Sequence, residues 1–504
     1  TDAMMFIFLF ISLAIVGFVA LAAQHRTVRI FAAFYYLVQA GFAAAVIPFR
    51  IGEVESQFFT FDLLGAIFFV LMAVISAVAF VQSNFYLDRE TLRQFKLYNI
   101  SLMLLCVSAT GVYFANNIAV TWIFLEATTL CTAGLVYHRR NTRSLEATWK
   151  YIFICSLGIA VAYLGILLLS TVTAGGELSY ANLARTVASG NPLYLKIAFL
   201  FILVGYSCKM EVFPLYTIGV DANFAAPAPA SAVISTVLVN AGFVSLFRVY
   251  RVAAASPVYE WFSHVLILAG LISLLIAGVY LRRTNNYKRF LAYSTVECMG
   301  LSVVGLGVGG IGIFAALLQV IAHALIKSGM FVQMAQVGKV YGTYRMNRIG
   351  GYIGVNRTGA VALLLGGMSL LAFPPSVLFV SEMMILRQVI ESGRWWLLVL
   401  LALLLCFVMF SFCSRILKLC YKPAADAFPA YPPGVDLVRP VADRRGFGAG
   451  HRAATVPDQI YQCRYRLLDE KVVHDIQPAG ECETRCDSLF PVSRISPGDA
   501  RLPA

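Results

Sequence analysis

The sequence predicts an all-α protein that crosses a membrane many times, and three observations carry that prediction: its composition, the length of its apolar blocks and the placement of its charges. Of 504 residues, 60% are hydrophobic and 13% are charged, whereas soluble domains carry roughly a quarter charged residues. The apolar residues fall in uninterrupted blocks of about twenty, the length an α-helix needs to cross roughly 30 Å of hydrocarbon. Barrel strands would instead alternate apolar and polar residues over about ten positions. The formal net charge is +13, but Lys and Arg sit in short loops between the blocks and form no basic stripe, so nucleic acid is not an expected partner and the lipid bilayer is.

Taken in order, the blocks are Met4–Ala23, Val28–Ile47, Leu63–Val81, Leu97–Ala115, Ile118–Tyr137, Thr148–Val172, Leu195–Val220, Ala230–Tyr250, Trp261–Leu281, Phe290–Val308, Ile311–Val337, Thr358–Ile390 and Trp395–Leu419. They predict about thirteen spans. The first lacks a basic leading region and runs straight on to further spans, so it is read as a transmembrane helix and not as a cleaved signal. Alternate loops differ in charge: Arg26 and Arg29; Arg89, Arg93 and Lys96; Arg139, Arg140 and Arg143; Arg282, Arg283, Lys288 and Arg289; and Lys339, Arg345 and Arg348 share one side. The positive-inside rule then puts the N-terminus outside and these loops in the cytoplasm of a bacterial or archaeal inner membrane.

Two blocks contain proline within an apolar run, at Lys209-Met-Glu-Val-Phe-Pro214 and at Phe373-Pro374-Pro375. Proline removes a backbone donor, and in a membrane such a break is tolerated beside protein or a hydrated cavity. Five spans separate the two breaks, the spacing of equivalent elements in two inverted five-helix repeats; two ordinary kinks are the alternative. The chain accordingly divides into N-terminal helices (1–115, including the start of the first repeat), a first repeat (97–250), a second (259–419) and a polar tail (420–504), cytoplasmic or disordered. Cys106, Cys131, Cys155, Cys208, Cys298, Cys406, Cys413 and Cys420 lie in or beside apolar blocks and read as small hydrophobes. Cys463, Cys482 and Cys486 fall in the tail, where no complete set of four metal ligands is visible.

Ionisable side chains at mid-span cost about 2.5–3.5 kcal/mol each on insertion scales, so a series of them marks function. Glu126 lies in the fifth block, Lys150 opens the sixth, Lys209 precedes the first break, Glu297 lies in the tenth, His323 and Lys327 are in the eleventh, and Glu382 follows the second break. The four-residue spacing of His323 and Lys327 puts both on one helix face. At about 8 Å and an effective dielectric near 20, Glu126 and Lys209 would interact by about 2 kcal/mol, enough to govern whether a proton is held. A static ion pair that pins helices is the alternative for any single pair. Asp62 is expected at an interface, and Arg248 and Arg251 at a span end. Glu211 stays open, because two residues from Lys209 it shares a face with that lysine only if the break reorients them.

Several motifs together resemble the hydrogenase-4 component F type of antiporter-like subunit: Trp122-Ile-Phe-Leu-Glu126-Ala-Thr-Thr-Leu, Ser144-Leu-Glu-Ala-Thr-Trp149-Lys150-Tyr, Ser156-Leu-Gly-Ile-Ala, Tyr287-Lys288-Arg-Phe-Leu-Ala-Tyr-Ser294-Thr-Val-Glu297-Cys-Met-Gly300, His323-Ala-Leu-Ile-Lys327-Ser and Pro374-Pro375-Ser-Val-Leu-Phe-Val-Ser381-Glu382. The resemblance implies a fourteen-helix fold with two inverted repeats and a hydrated mid-membrane axis. Glu126 and Lys209 would be its first pair, His323 and Lys327 its central relay and Glu382 its far end. Lys150 and Glu297 would support the relay, as would Asp221, Ser235, Asn240, Lys288 and Ser294. Three residues depart from the pattern: Tyr216 and Cys298 stand where relatives usually have His, and Asn240 where some have Lys. Nothing after Leu419 is apolar enough for the family's last helix.

The function so implied is proton translocation in a redox-driven assembly of the complex I or group 4 hydrogenase kind, by a subunit that catalyses no redox step and holds no cofactor. Its partners would be other membrane subunits and, indirectly, soluble redox subunits carrying iron–sulfur clusters and, in a hydrogenase, nickel and iron. The alternatives are a secondary Na⁺ or K⁺/H⁺ antiporter module and a structural membrane anchor.

Overall fold

The computed structural model describes residues 3–87, 90–173 and 176–422. The chain runs α1 (Met4–Leu21), α2 (His25–Ala45), α3 (Ile47–Arg50), β1 (Val54–Glu55), β2 (Phe59–Thr60), α4 (Leu63–Tyr86), α5 (Leu92–Phe114), α6 (Ile118–Val136), α7 (Thr142–Ser170), α8 (Tyr180–Thr186), α9 (Pro192–Met210) and α10 (Thr217–Ala225). It continues with α11 (Ala228–Val233), α12 (Val239–Ala254), α13 (Tyr259–Arg283), α14 (Tyr287–Val308), α15 (Ile311–Tyr341), α16 (Tyr352–Val355), α17 (Arg357–Leu370), α18 (Val377–Glu391) and α19 (Trp395–Tyr421). The expected polar tail begins at 420, and from 423 onward it lies outside the described residues.

Local chemistry sets the helix starts. Side chains of Asp62, Thr91, Asn117, Asn141, Ser179, Asn191, Asn286, Asn356 and Ser376 each accept from a backbone N–H in the first turn that follows. Such caps satisfy donors that have no partner within the helix. At α7 the cap is reciprocal, since Ser144 Oγ also accepts from the Asn141 N–H at 3.0 Å.

Among the described residues, twelve helices are long and apolar enough to cross a membrane, and the chain is a multi-pass membrane protein. The apolar block Thr358–Ile390, expected as one span, is two shorter helices, α17 and α18, separated at Phe373–Ser376. The block Leu195–Val220 is likewise divided, α9 ending at Met210 and α10 starting at Thr217. Both interruptions fall at the expected prolines, and the Phe213–Pro214 and Pro374–Pro375 bonds are cis. A hairpin of two residues per strand, β1 with β2, is an element the sequence reading did not anticipate.

Burial sorts the spans into an inner and an outer set. The helix formed by α11 and α12, joined through a π-helical turn at Ile234–Leu238, is buried along nearly its whole length, and α14 is almost as enclosed. In contrast α1, α2 and α19 turn Phe10, Leu21, Leu37, Trp395, Val399 and Leu403 outward, as lipid-facing helices do. Small residues let the inner helices approach closely. A Cβ built on Gly205 of α9 would come within 2.4 Å of the Gly158 carbonyl oxygen of α7, and one on Gly270 of α13 within 2.5 Å of the Gly300 carbonyl oxygen of α14.

Arg248 was expected at a span end, and the structure places it inside. It is 5% exposed, and its guanidinium donates to both Asp62 carboxylate oxygens at 3.0 Å and to the carbonyls of Val112, Tyr113 and Ala115 at the end of α5. Five donors in a rigid fork suit such a cluster, and one side chain on α12 thereby ties the start of α4 to the end of α5. Asp62 is at once the α4 cap and the counter-charge; Arg251 is exposed. Replacing Arg248 by Met leaves a carboxylate and three carbonyls without their donor, so Arg248→Met is expected to destabilise the fold by about 3–5 kcal/mol. Thermal unfolding of the solubilised protein checks this, and an unchanged midpoint would rule out the tie.

Candidate functional site

The first cluster forms where α6, α7 and α9 meet. On α6, Glu126 and Thr129 are three residues apart and share a face. Lys209 occupies the last turn of α9, where unsatisfied carbonyls and the helix dipole favour a cation. Lys209 is wholly buried and donates from Nζ to Thr129 Oγ1 at 2.6 Å. Thr129 in turn donates to Glu126 Oε2 at 3.3 Å, and Ser156 of α7 donates to Glu126 Oε1 at 2.6 Å. The Tyr151 ring centre lies 5.4 Å from the ammonium, a cation–π contact.

Glu126 and Lys209 are thus joined through a hydroxyl and not as a direct ion pair. Two hydrogen bonds keep the charges within about 6 Å, where attraction at an effective dielectric near 20 is about 3 kcal/mol. Since Glu126 is partly open to the protein surface, this is an upper figure. A threonine hydroxyl accepts and donates at once. Such a bridge is chemically able to pass a proton in one concerted shift, in which an N–H bond at Lys209 breaks, an O–H bond forms at Thr129 and the hydroxyl's own proton goes to Glu126. Thr129 and Ser156 both fall within motifs quoted from the sequence, but neither was assigned a role there; the three-residue spacing from Glu126 to Thr129 and the motif carrying Ser156 were the available signals.

The break between α9 and α10 completes the surroundings of Lys209. Glu211 follows at left-handed backbone angles (φ 57°), and the Phe213 N–H is satisfied by Ser273 Oγ of α13 at 2.9 Å. The freed backbone is therefore bonded inside protein, as a membrane interior requires. Glu211 itself is 2% exposed and accepts from Asn223 Nδ2 of α10 at 2.8 Å.

The second cluster lies between α14, α15 and α18. His323 and Lys327 are both wholly buried on α15. Lys327 Nζ donates to the Leu291 carbonyl at 2.6 Å and to the Ser294 hydroxyl of α14. Ser294 donates to the same carbonyl at 3.0 Å, so the contact holds the amine but leads to no proton acceptor. Glu297, one turn further along α14, accepts from the Cys298 thiol at 3.3 Å and is within electrostatic reach of both Lys327 and Glu382. Both His323 nitrogens and both polar atoms of the Asn240 amide are buried without a protein partner. Buried groups of this kind ordinarily bond ordered water.

Other candidates sit elsewhere. Lys150 is exposed, pairs with Glu146 on its own helix, and lines an open cleft of about 320 Å³ together with Arg143, Asp221 and Arg289. Asp221 pairs there with Arg289 at 2.8 Å. Lys288 is buried and donates to the carbonyls of Phe224, at 3.1 Å, and Ala226, capping the end of α10. Ser235 bonds back to the Ala232 carbonyl at 3.4 Å within its own helix. These contacts give Lys150 and Asp221 surface positions and Lys288 a helix-capping one, while Ser235 is buried mid-helix and bonded within its own helix.

A many-helix membrane bundle with two interrupted helices, and with a buried lysine linked through a hydroxyl to a carboxylate, defines an antiporter-like membrane subunit. The membrane-bound sulfane sulfur reductase, an archaeal respiratory membrane complex, contains a chain that matches with a TM-score of 0.76 and 21% identity, over 87% of this chain and 91% of that one. A chain of the Mrp complex from Dietzia sp. DQ12-45-1b matches with a TM-score of 0.75 and 18% identity, over 88% and 84%. These likenesses establish the fold. Residues 115–408 match the transmembrane family of NADH:quinone oxidoreductase and Mrp antiporter subunits, and the chain belongs to that family. A hydrogenase-4 component F homolog of Methylacidiphilum infernorum is 30% identical over 345 residues, 66% of this chain and 72% of the relative. Subunit N of the NADH-quinone oxidoreductase of Desulforudis audaxviator is 27% identical over 393 residues, 75% of this chain and 76% of the relative.

Thr129→Val deletes the hydroxyl between Lys209 and Glu126 while keeping a similar volume. Its expected effect on proton movement through the reconstituted complex is a loss of about a hundredfold, with Thr129→Ser close to wild type. Equal rates for Val and wild type would mean that the bridge carries nothing.

Proposed function

We propose that this chain is the proton-translocating membrane subunit of a redox-driven complex of the hydrogenase-4 or complex I kind. The observation that carries the reading is the Glu126–Thr129–Lys209 chain, in which a fully buried ammonium is held by a hydroxyl that also faces a carboxylate. A structural ion pair would join the two charges directly and saturate both. The bridged form instead leaves the proton a place to go. When the attraction of Glu126 is withdrawn, the buried ammonium loses its main compensation and gives its proton up.

In this reading the proton passes from the first cluster toward His323 and Lys327, and on through Glu297 to Glu382. Water bonded to His323 and Asn240 bridges the gaps, since both present buried polar atoms without protein partners. Residues 97–250 and 259–419 act as two inverted five-helix repeats. The positions of Glu126 on α6 and Glu297 on α14, the second helix of each, support that reading, as does the left-handed residue three places before each break proline, Glu211 and Ala372. Redox chemistry, with iron–sulfur clusters and in a hydrogenase nickel and iron, belongs to partner subunits. The membrane is a bacterial or archaeal inner membrane, entered with the N-terminus outside.

The test uses the native complex, purified with its partners, identified by mass spectrometry and metal analysis, and placed in liposomes carrying a pH-sensitive dye. Lys209→Met is expected to abolish proton movement across the vesicle while every subunit still co-purifies. Wild-type proton flux in that variant would overturn the relay. Flux that requires Na⁺ or K⁺ and no redox subunit would assign the chain to cation/proton exchange instead.

A further inference from the structure

Glu211 is a buried carboxylate that the relay above does not use, and its seat is built in several ways. It closes α9 at left-handed backbone angles, φ 57°, a conformation that L side chains rarely adopt and that glycine favours. A non-glycine residue in such a place, at a membrane break, is where a retained side chain points to function. The carboxylate is accommodated because position 219 is glycine: a Cβ there would lie 2.3 Å from Glu211 Cγ and 2.4 Å from Cδ and Oε1. Asn223, wholly buried on α10, donates to Oε1 at 2.8 Å. The second oxygen, Oε2, is buried and has no protein partner.

Direction matters as much as burial. Lys209 reaches back to Thr129 on α6. Glu211, two residues on and across the left-handed turn, reaches forward over Gly219 to Asn223 on α10 and comes within electrostatic reach of Lys327 on α15. In a continuous helix residues two apart point to opposite sides; here the turn uses that divergence to aim one charge at each cluster. Among the described residues, Lys327 in turn is held by the Leu291 carbonyl and the Ser294 hydroxyl, with no carboxylate bonded to it. Glu211 therefore places a carboxylate within electrostatic reach of a lysine whose bonds given above are to a hydroxyl and a carbonyl.

We propose that Glu211 is an additional proton-carrying carboxylate at the junction of the two clusters, loaded from the Lys209 side and unloaded to Lys327. Loading breaks an N–H bond at Lys209 and forms an O–H bond at Glu211 Oε2, with water as the intermediate carrier. Unloading breaks that O–H bond and protonates the free amine of Lys327, which leaves the carboxylate ready for the next proton. Asn223 holds Oε1 throughout, so Oε2 alone changes its bonding.

This rests on the relay reading, so the experiment runs Glu211→Gln, Glu211→Gly and Lys209→Met side by side in the reconstituted native complex, with proton flux read by a trapped pH dye. Glu211→Gln keeps the shape and a polar oxygen for Asn223; Glu211→Gly suits the left-handed backbone. Both are expected to assemble, and both to lower proton flux by about a hundredfold. Infrared difference spectra should lose a protonated-carboxyl band in Glu211→Gln, a signal that a merely structural side chain would not give. Wild-type flux in Glu211→Gln with Lys209→Met blocked would overturn the assignment of Glu211 and leave the relay standing. Normal flux in Lys209→Met would overturn the relay itself. Lost assembly in both Glu211 variants would make the residue a structural seat and also overturn the proposal.

Discussion

Hydrocarbon offers no solvent to a polar group, and the fully buried Lys209 ammonium is where that constraint shapes most of the surrounding chain. Its 2.6 Å bond to Thr129 requires α6 and α9 to approach. Its place at the end of α9 requires the helix to stop there, which the Pro214 break accomplishes. The packing of α12 leaves room only for a glycine at 242, since a Cβ there would lie 2.9 Å from Lys209 Cβ. The backbone freed by the break needs a donor or acceptor from elsewhere, and Ser273 on α13 provides one. A single buried charge thus accounts for a helix terminus, a small residue and an inter-helix hydrogen bond.

The two clusters solve the same problem differently. In the first, the amine is linked through a hydroxyl to a carboxylate, so charge and counter-charge are both present and a proton can shift between them. In the second, the Lys327 amine rests on a serine and a backbone carbonyl, and the carboxylates of Glu297 and Glu382 stand off on neighbouring turns and helices. A backbone carbonyl accepts a hydrogen bond but cannot carry a proton onward at neutral pH.

Arg248 shows that not every buried charge belongs to such a device. Its guanidinium is bonded to Asp62 and three carbonyls, and a guanidinium keeps its proton even beside a carboxylate. Lys288 is likewise held by carbonyls at the end of α10. Saturated bonding marks the structural charges. Glu211, Asn240 and His323 differ in carrying buried polar atoms without a protein partner among the described residues.

Most spans were legible in the sequence because block length and hydropathy follow directly from the thickness of hydrocarbon, and the two breaks because proline cannot complete a helix ladder. Glu126, Lys209, His323 and Lys327 were legible because charge in an apolar run is conspicuous at any position. Thr129 and Ser156 were not, since hydroxyls are common in membrane helices and nothing local distinguishes one that faces a charge. Lys150 looked like a member of the series and lies at an exposed rim, because a helix start reads as apolar sequence whether or not it is enclosed. The sequence by itself determined the class of protein, the order of helices and the supply of buried charge. Only the tertiary structure decided which charges are saturated and which are poised, because that depends on what helices far apart in the chain place within 3 Å of each other.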